Sequence, residues 1–146
     1  MDFDWKNGGV KASHKDHNFD KKGGQYELEA QRAGFKAGNK VIFGSENGDV
    51  IGQKYTEGLW NDKPFEVAGR ETATSNNILR GLVHCAKTSD VKVAVLDFPN
   101  GGFDQSVVKT AIGRYIGYQK VEGFNFVRFE EIICIQNETI VFSTTL

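Results

Sequence analysis

Apolar residues along the chain switch between a helical period and a strand period, and the switches divide it into elements. Tyr26, Ala30, Ala33 and Ala37 recur at helical spacing and predict a helix from about Gly24 to Ala37, stopped by Gly38. Val41-Ile42-Phe43 predicts a short strand, and Gly44 to Gly52 reads as a turn-rich connection with Asn47-Gly48 at its tip. Residues 53–70 predict a hairpin, with one arm from Gln53 to Trp60, a turn at Asn61-Asp62-Lys63 and a second arm from Pro64 to Gly69. Pro64 has no N–H for a ladder, so it is expected to begin its strand rather than sit inside it. Thr74 or Ser75 is expected to cap a second helix, whose Ile78, Leu79, Leu82, Val83 and Ala86 form one apolar stripe. Val91 to Phe98 reads as apolar on both parities with Lys92 as the exception, the pattern of a strand covered on both faces. Asp104 is expected to cap a third helix, in which Val107, Val108, Ala111, Ile112, Tyr115 and Ile116 share a face. The stretch from Phe124 to Phe142 is rich in β-branched and aromatic residues and predicts a hairpin turning at Gln136-Asn137-Glu138.

Strands and helices mixed in this order imply a layered α/β domain with a mixed central sheet flanked by helices. Residues 1–22 are polar and read as an extended or partly ordered lead-in, and residues 23–146 as a single domain without repeat or linker. At 146 residues, 39% hydrophobic and 25% charged, the chain has the size and balance to bury one core. The net charge of -1 carries no global basic signature, so a nucleic-acid ligand would need a local basic patch. No apolar run approaches a membrane span, and the polar first twenty residues do not resemble a signal peptide. Cys85 and Cys134 lack the spacing of a disulfide framework or a zinc site and are expected to be small buried apolar residues.

Candidate chemistry sits in the first hairpin. Glu57 and Glu66 lie on its opposite arms, and cross-strand neighbours have Cβ atoms about 4.5–5.5 Å apart. Two carboxylates so placed suit a hard cation such as Mg²⁺, which commonly takes one or two carboxylates and fills its other positions with water and substrate phosphate. Such an ion activates water and stabilises in-line attack on phosphorus. The alternative is a pair of solvated carboxylates on an exposed hairpin face.

The stretch Gly24 to Phe98 resembles nucleases of the PD-(D/E)XK superfamily, most closely the C-terminal tRNA-cleaving toxin domains of contact-dependent growth inhibition proteins and similar domains of phage and mobile elements. The residues that carry the resemblance are Gly24-Gln25-Tyr26-Glu27 opening the helix, the strand pair from Lys54-Tyr55-Thr56-Glu57-Gly58 through Phe65-Glu66-Val67-Ala68, Asn76-Asn77-Ile78 opening the second helix, and Val93 to Phe98. The resemblance implies a core of helix, three strands, helix and strand, to which the C-terminal helix and hairpin are additions. It implies Glu57 and Glu66 as ligands of Mg²⁺ or Mn²⁺, with Glu27 at the edge of the site. Where the pattern has a lysine this chain has Ala68, which can neither polarise an attacking water nor offset phosphate charge. Three readings of Ala68 are open: an engineered knock-out, a natural variant whose cation has moved to Arg70 or Lys54, or a degenerate site that binds without chemistry.

The resemblance further implies a tRNA substrate, weak or absent cleavage by the chain as written, an immunity protein as partner, and action in the bacterial cytoplasm after delivery into a target cell. Oligomeric state is left open. His17 is a candidate general acid, with His14 second to it, and Lys15 a candidate phosphate contact, against the reading of a solvated arm. Thr72, Thr74 and Ser75 either cap the second helix or present its N-terminus to phosphate. His84 reads as an ordinary helix-flank residue, and Trp60, Phe65 and Phe103 as buried aromatics rather than base-stacking platforms. The rival functions are a catalytically silent binding domain, a DNA-directed nuclease, and a metal-free barnase-like ribonuclease worked by His17 and Arg70.

Overall fold

The computed structural model describes residues 1–13, 17, 19–20, 23–44, 58–87, 90–119 and 128–146. Among them the elements run β1 (Asp2–Phe3), β2 (Val10–Ser13), α1 (Gly24–Lys36), β3 (Lys40–Phe43), β4 (Gly58–Trp60), β5 (Lys63–Gly69), α2 (Ser75–Cys85), β6 (Val93–Asp97), α3 (Gln105–Gln119), β7 (Glu131–Gln136) and β8 (Thr139–Thr145). The strands form one eight-stranded sheet in chain order. β2 and β3 are parallel, as are β5, β6 and β7, whereas β1, β4 and β8 each run antiparallel to their neighbours. The expected mixed α/β sheet between helices is the fold.

Two apolar layers fix the helices to the sheet. Phe65 and Val67 of β5 and Val93 and Val95 of β6 join Ala30 and Ala33 of α1 on one face. The alternate residues Ala68, Ala94 and Leu96 join Ile78 and Leu82 of α2 and Val108, Ala111 and Tyr115 of α3 on the other. The period of two in the strands thus sorts α1 to one side and α2 and α3 to the other. The β2–α1–β3 and β5–α2–β6 connections advance the same way across the sheet between like-oriented strands yet cover opposite faces, so one of them has the rarer left hand.

Local chemistry explains most boundaries and corrects some expectations. Thr74 is the α2 cap, its side chain accepting from the Asn77 N–H, and Asp104 Oδ1 accepts from the backbone N–H of Ser106 and Val107 at the head of α3. The turn expected over Asn61-Asp62-Lys63 is a two-residue turn, because Asn61 and Asp62 both take positive φ (49° and 68°) and Lys63 already pairs with Trp60. Pro64 is therefore second in its strand. It faces Leu59 in the pair that exchanges no hydrogen bonds with β4, where a missing N–H costs the hairpin nothing. The second hairpin turns on Asn137-Glu138, again with both φ positive. Residues 1–13, expected as a lead-in, contribute β1 and β2 to the sheet. The expected connection from Gly44 to Gly52, after Gly44 itself, and most of the first hairpin arm lie outside the described residues.

Candidate functional site

β5 is the strand around which the candidate residues gather. Its partner β4 is described from Gly58, opposite Phe65, and a cavity of about 520 Å³ lies against the C-terminal half of β5. The cavity is lined by Gly23 to Glu27 at the head of α1 (without Gly24), by Val67 to Glu71, and by His84 of α2. Side chains from both faces of the sheet therefore meet there: Tyr26 and Glu27 from the α1 side, Ala68 and His84 from the α2 side.

Glu27 is buried at 3% exposure, and its Oε2 lies 2.5 Å from His17 Nε2. The other ring nitrogen of His17 lies 2.9 Å from the Gly44 carbonyl oxygen. The ring is tilted against Phe19 and Phe43, and its side chain has no solvent exposure. His17 thus holds Glu27 from behind and does not face the cavity's solvent. Tyr26 packs over Gly69, where any Cβ would collide with the ring, and donates its hydroxyl to Glu71 Oε1 at 3.1 Å. Burial, then Glu71, hold the Tyr26 pKa above the ordinary phenol value.

Glu66 is buried on the same face of β5 as Ala68, one pleat away from the cavity wall. Ala68 itself lines the cavity at 3% exposure and packs into the α2/α3 core. Arg70 reaches the cavity while donating to the carbonyls of Gly69 (2.6 Å) and Asn77 (3.2 Å). Among the described residues, no three of His, Cys, Asp and Glu cluster in a way that would hold a metal. Glu57, Lys54, Lys15 and His14 lie outside the described residues. Thr72 and Ser75 are not among the lining residues; Ser75 instead accepts from Arg114 of α3, 3.3 Å away. Trp60 and Phe65 are core residues at 1% and 0% exposure, and Cys85 and Cys134 are buried thiols rather than a disulfide.

Two residues passed over in the sequence matter here. His84 lines the cavity and also a second pocket of about 350 Å³, with Leu79, Arg80, Val83 and Lys87. Its pKa is held below the ordinary histidine value by desolvation and then by the Lys87 and Arg70 charges, so the ring is neutral at pH 7. Asp97 is a second polar exception in the buried strand, opposite Gly69 in the register. It is fully buried, and neither carboxylate oxygen has a partner at good hydrogen-bonding geometry. Burial, then its interaction with the neighbouring Glu29 carboxylate, by hydrogen bond and by charge, raise its pKa to about 9, which leaves it protonated at neutral pH.

No family model matches the chain, and no curated protein matches it. Among solved structures it is similar to a chain of the CdiA-CT/CdiI toxin and immunity complex from Burkholderia pseudomallei. The two are 14% identical with a TM-score of 0.62, over 93% of this chain and 99% of that one. At that identity the likeness establishes a shared fold, the three-helix, mixed-sheet α/β arrangement built around β5 and β6.

Proposed function

We propose that the chain is the nuclease toxin domain of a contact-dependent competition system, a metal-dependent endoribonuclease directed at tRNA, with its cleavage weak or silent because Ala68 occupies the lysine position. The observation that carries this reading is the cavity at the β5 edge. It gathers Glu27, Ala68 and Arg70, the positions that the PD-(D/E)XK resemblance assigns to the edge of the site, the lysine and a substitute cation. The likeness to a chain of a toxin–immunity complex supports it at the level of the fold. Glu66 and Glu57 would hold Mg²⁺ or Mn²⁺. One buried carboxylate on β5 with a second from the residue that precedes Gly58 in the sequence is a donor set that Mg²⁺ accepts, since water and phosphate complete its shell. The ion, when bound, would supply activation of water and neutralisation of charge developing on the phosphate. Within the chain, Glu27 fixed by His17 keeps an acceptor at the cavity's edge, and Arg70 offers a charge to a phosphate.

An immunity protein with acidic groups over the cavity is the expected partner. In the described residues no helix is long and apolar enough to cross a membrane.

The test is Ala68→Lys, incubated with tRNA, rRNA and DNA in Mg²⁺ and in EDTA. Cleavage of tRNA that requires both lysine and metal, and that Glu66→Gln abolishes in the same background, is the expected result. A lysine variant that cuts no nucleic acid would make the chain a binding domain. Cleavage that survives EDTA would replace the metal mechanism with a metal-free one.

A further inference from the structure

We propose that the outer face of α2 and the turn that follows it carry the phosphodiester backbone of RNA into the β5 cavity, with Arg80 and Lys87 holding separate phosphates of one strand and His84 contacting the strand where the two pockets meet. The inference rests on the nuclease reading and names the surface that would hold its substrate. The net charge of -1 offers RNA no general attraction, so a phosphate ligand needs a local excess of cations. That excess is present at one place next to the cavity. The second pocket has Arg80, His84 and Lys87 along its wall and, among the described residues, no carboxylate in its lining. Arg80 and Lys87 are exposed, and among the described residues neither has an ion-pair partner, so binding a phosphate would cost neither of them an existing bond.

Spacing sets the geometry. Arg80 and His84, four residues apart, lie on one face of α2, and Lys87 follows just past the C-cap Ala86. The two turns of chain from Arg80 to Lys87 rise roughly 10 Å, a length that passes about three phosphates at roughly 3.4 Å of axis each. His84 belongs to the linings of both pockets, so a strand lying on Arg80 and Lys87 reaches Ala68 and Arg70 by way of its ring. Desolvation, then the Lys87 and Arg70 charges, hold the His84 pKa down. The imidazole is thus a neutral donor and acceptor in a positive field, suited to a phosphate oxygen or a ribose hydroxyl. Leu79 and Val83 give the pocket an apolar floor for a base or sugar.

Binding, rather than cleavage, is the readout, because the chain as written carries Ala68. Fluorescence anisotropy of a fluorescein-labelled RNA stem–loop is followed from about 50 to 200 mM KCl. Loss of two phosphate contacts in Arg80→Gln/Lys87→Gln should weaken binding about tenfold or more at low salt. It should also lower the log–log salt slope by about 1.4–1.8. His84→Ala should weaken binding about threefold to tenfold with the slope unchanged, since it removes a hydrogen bond and no charge. The double variant Lys6→Gln/Lys109→Gln removes the same charge from exposed sites elsewhere and should stay within about twofold of the parent, with circular dichroism confirming the fold of each. The inference is overturned if the α2 variant binds as the parent does, if the control loses as much, if the parent binds no RNA, or if it prefers polyglutamate. The two readings fail separately. An Ala68→Lys enzyme that still cuts normally with Arg80 and Lys87 neutralised sinks this track and spares the nuclease, whereas salt-dependent RNA binding without cleavage by Ala68→Lys does the reverse.

Discussion

A histidine with its side chain sealed from solvent and set against a buried glutamate is a constraint on structure before it is anything else. His17 touches Glu27, the Gly44 carbonyl and two phenyl rings, and so ties the segment before α1 to the first turn of that helix and to the end of β3. In a metal-free ribonuclease His17 would have to touch the substrate, whereas here its sealed ring holds Glu27. Breaking a buried pair from one side commonly costs about 3–5 kcal/mol, because the remaining charge keeps its desolvation penalty. His17→Ala should therefore lower unfolding stability by about that amount in urea titration, and Glu27→Gln in the same background should restore part of it. A stability unchanged by His17→Ala would mean that Glu27 is held by other groups and that the histidine is free for another role.

Among the elements, α2 carries the most: its N-terminus receives Arg70, its inner face closes the core, and its outer face bears Arg80 and His84. Its start depends on Thr74, whose hydroxyl is the acceptor for the Asn77 N–H at 3.2 Å. Thr74→Ala should cost about 1 kcal/mol of global stability, and amide hydrogen exchange should rise first at Asn77 and Ile78. Exchange unchanged there would show that Arg70, bonded to the Asn77 carbonyl, suffices to hold the turn. The α2 cap, the α3 cap and the buried β6 were legible in the sequence because each rests on contiguous residues. β1 and β2 were not, since their order comes from elsewhere. They are short, with only Val10 and Ala12 as an apolar alternation in β2, β2 is held by the main chain of β3, and the turn between them is built by Asp4 and Asn7 side chains accepting from nearby backbone N–H groups. His84 was read as an ordinary helix-flank residue for a similar reason: only the fold shows that it shares a cavity lining with Ala68 and Arg70. The type of the first turn was misjudged by a single residue, which moved Pro64 one place along β5.

For the molecule as a whole, the largest pH dependence should come from Asp97 in the centre of the sheet. Three carboxylate or phenol groups act on it, Glu29 and Tyr26 from α1 and Glu138 from the last turn, and Glu138 itself pairs with Arg32 at 2.8 Å. The folded protein keeps the Asp97 proton to about pH 9, whereas the ordinary value for the unfolded chain is 3.8. Between those limits the unfolded state binds fewer protons than the folded one, so stability falls as pH rises, by about 1.4 kcal/mol per pH unit. Below the lower limit this contribution is fully present, and above the upper one it is fully lost. Asp97→Asn keeps the shape without the titration and should remove the slope. Urea titrations at pH 5 and pH 8 should then show the variant gaining on the parent by on the order of 4 kcal/mol across that interval. A gap of the same size at both pH values would mean that Asp97 is ionised in the fold and that a cation compensates it. Because a loss of that order is a large share of the roughly 5–15 kcal/mol that stabilises a domain, the parent should unfold at distinctly lower temperature in alkaline buffer, and the α1 face of the sheet should open first.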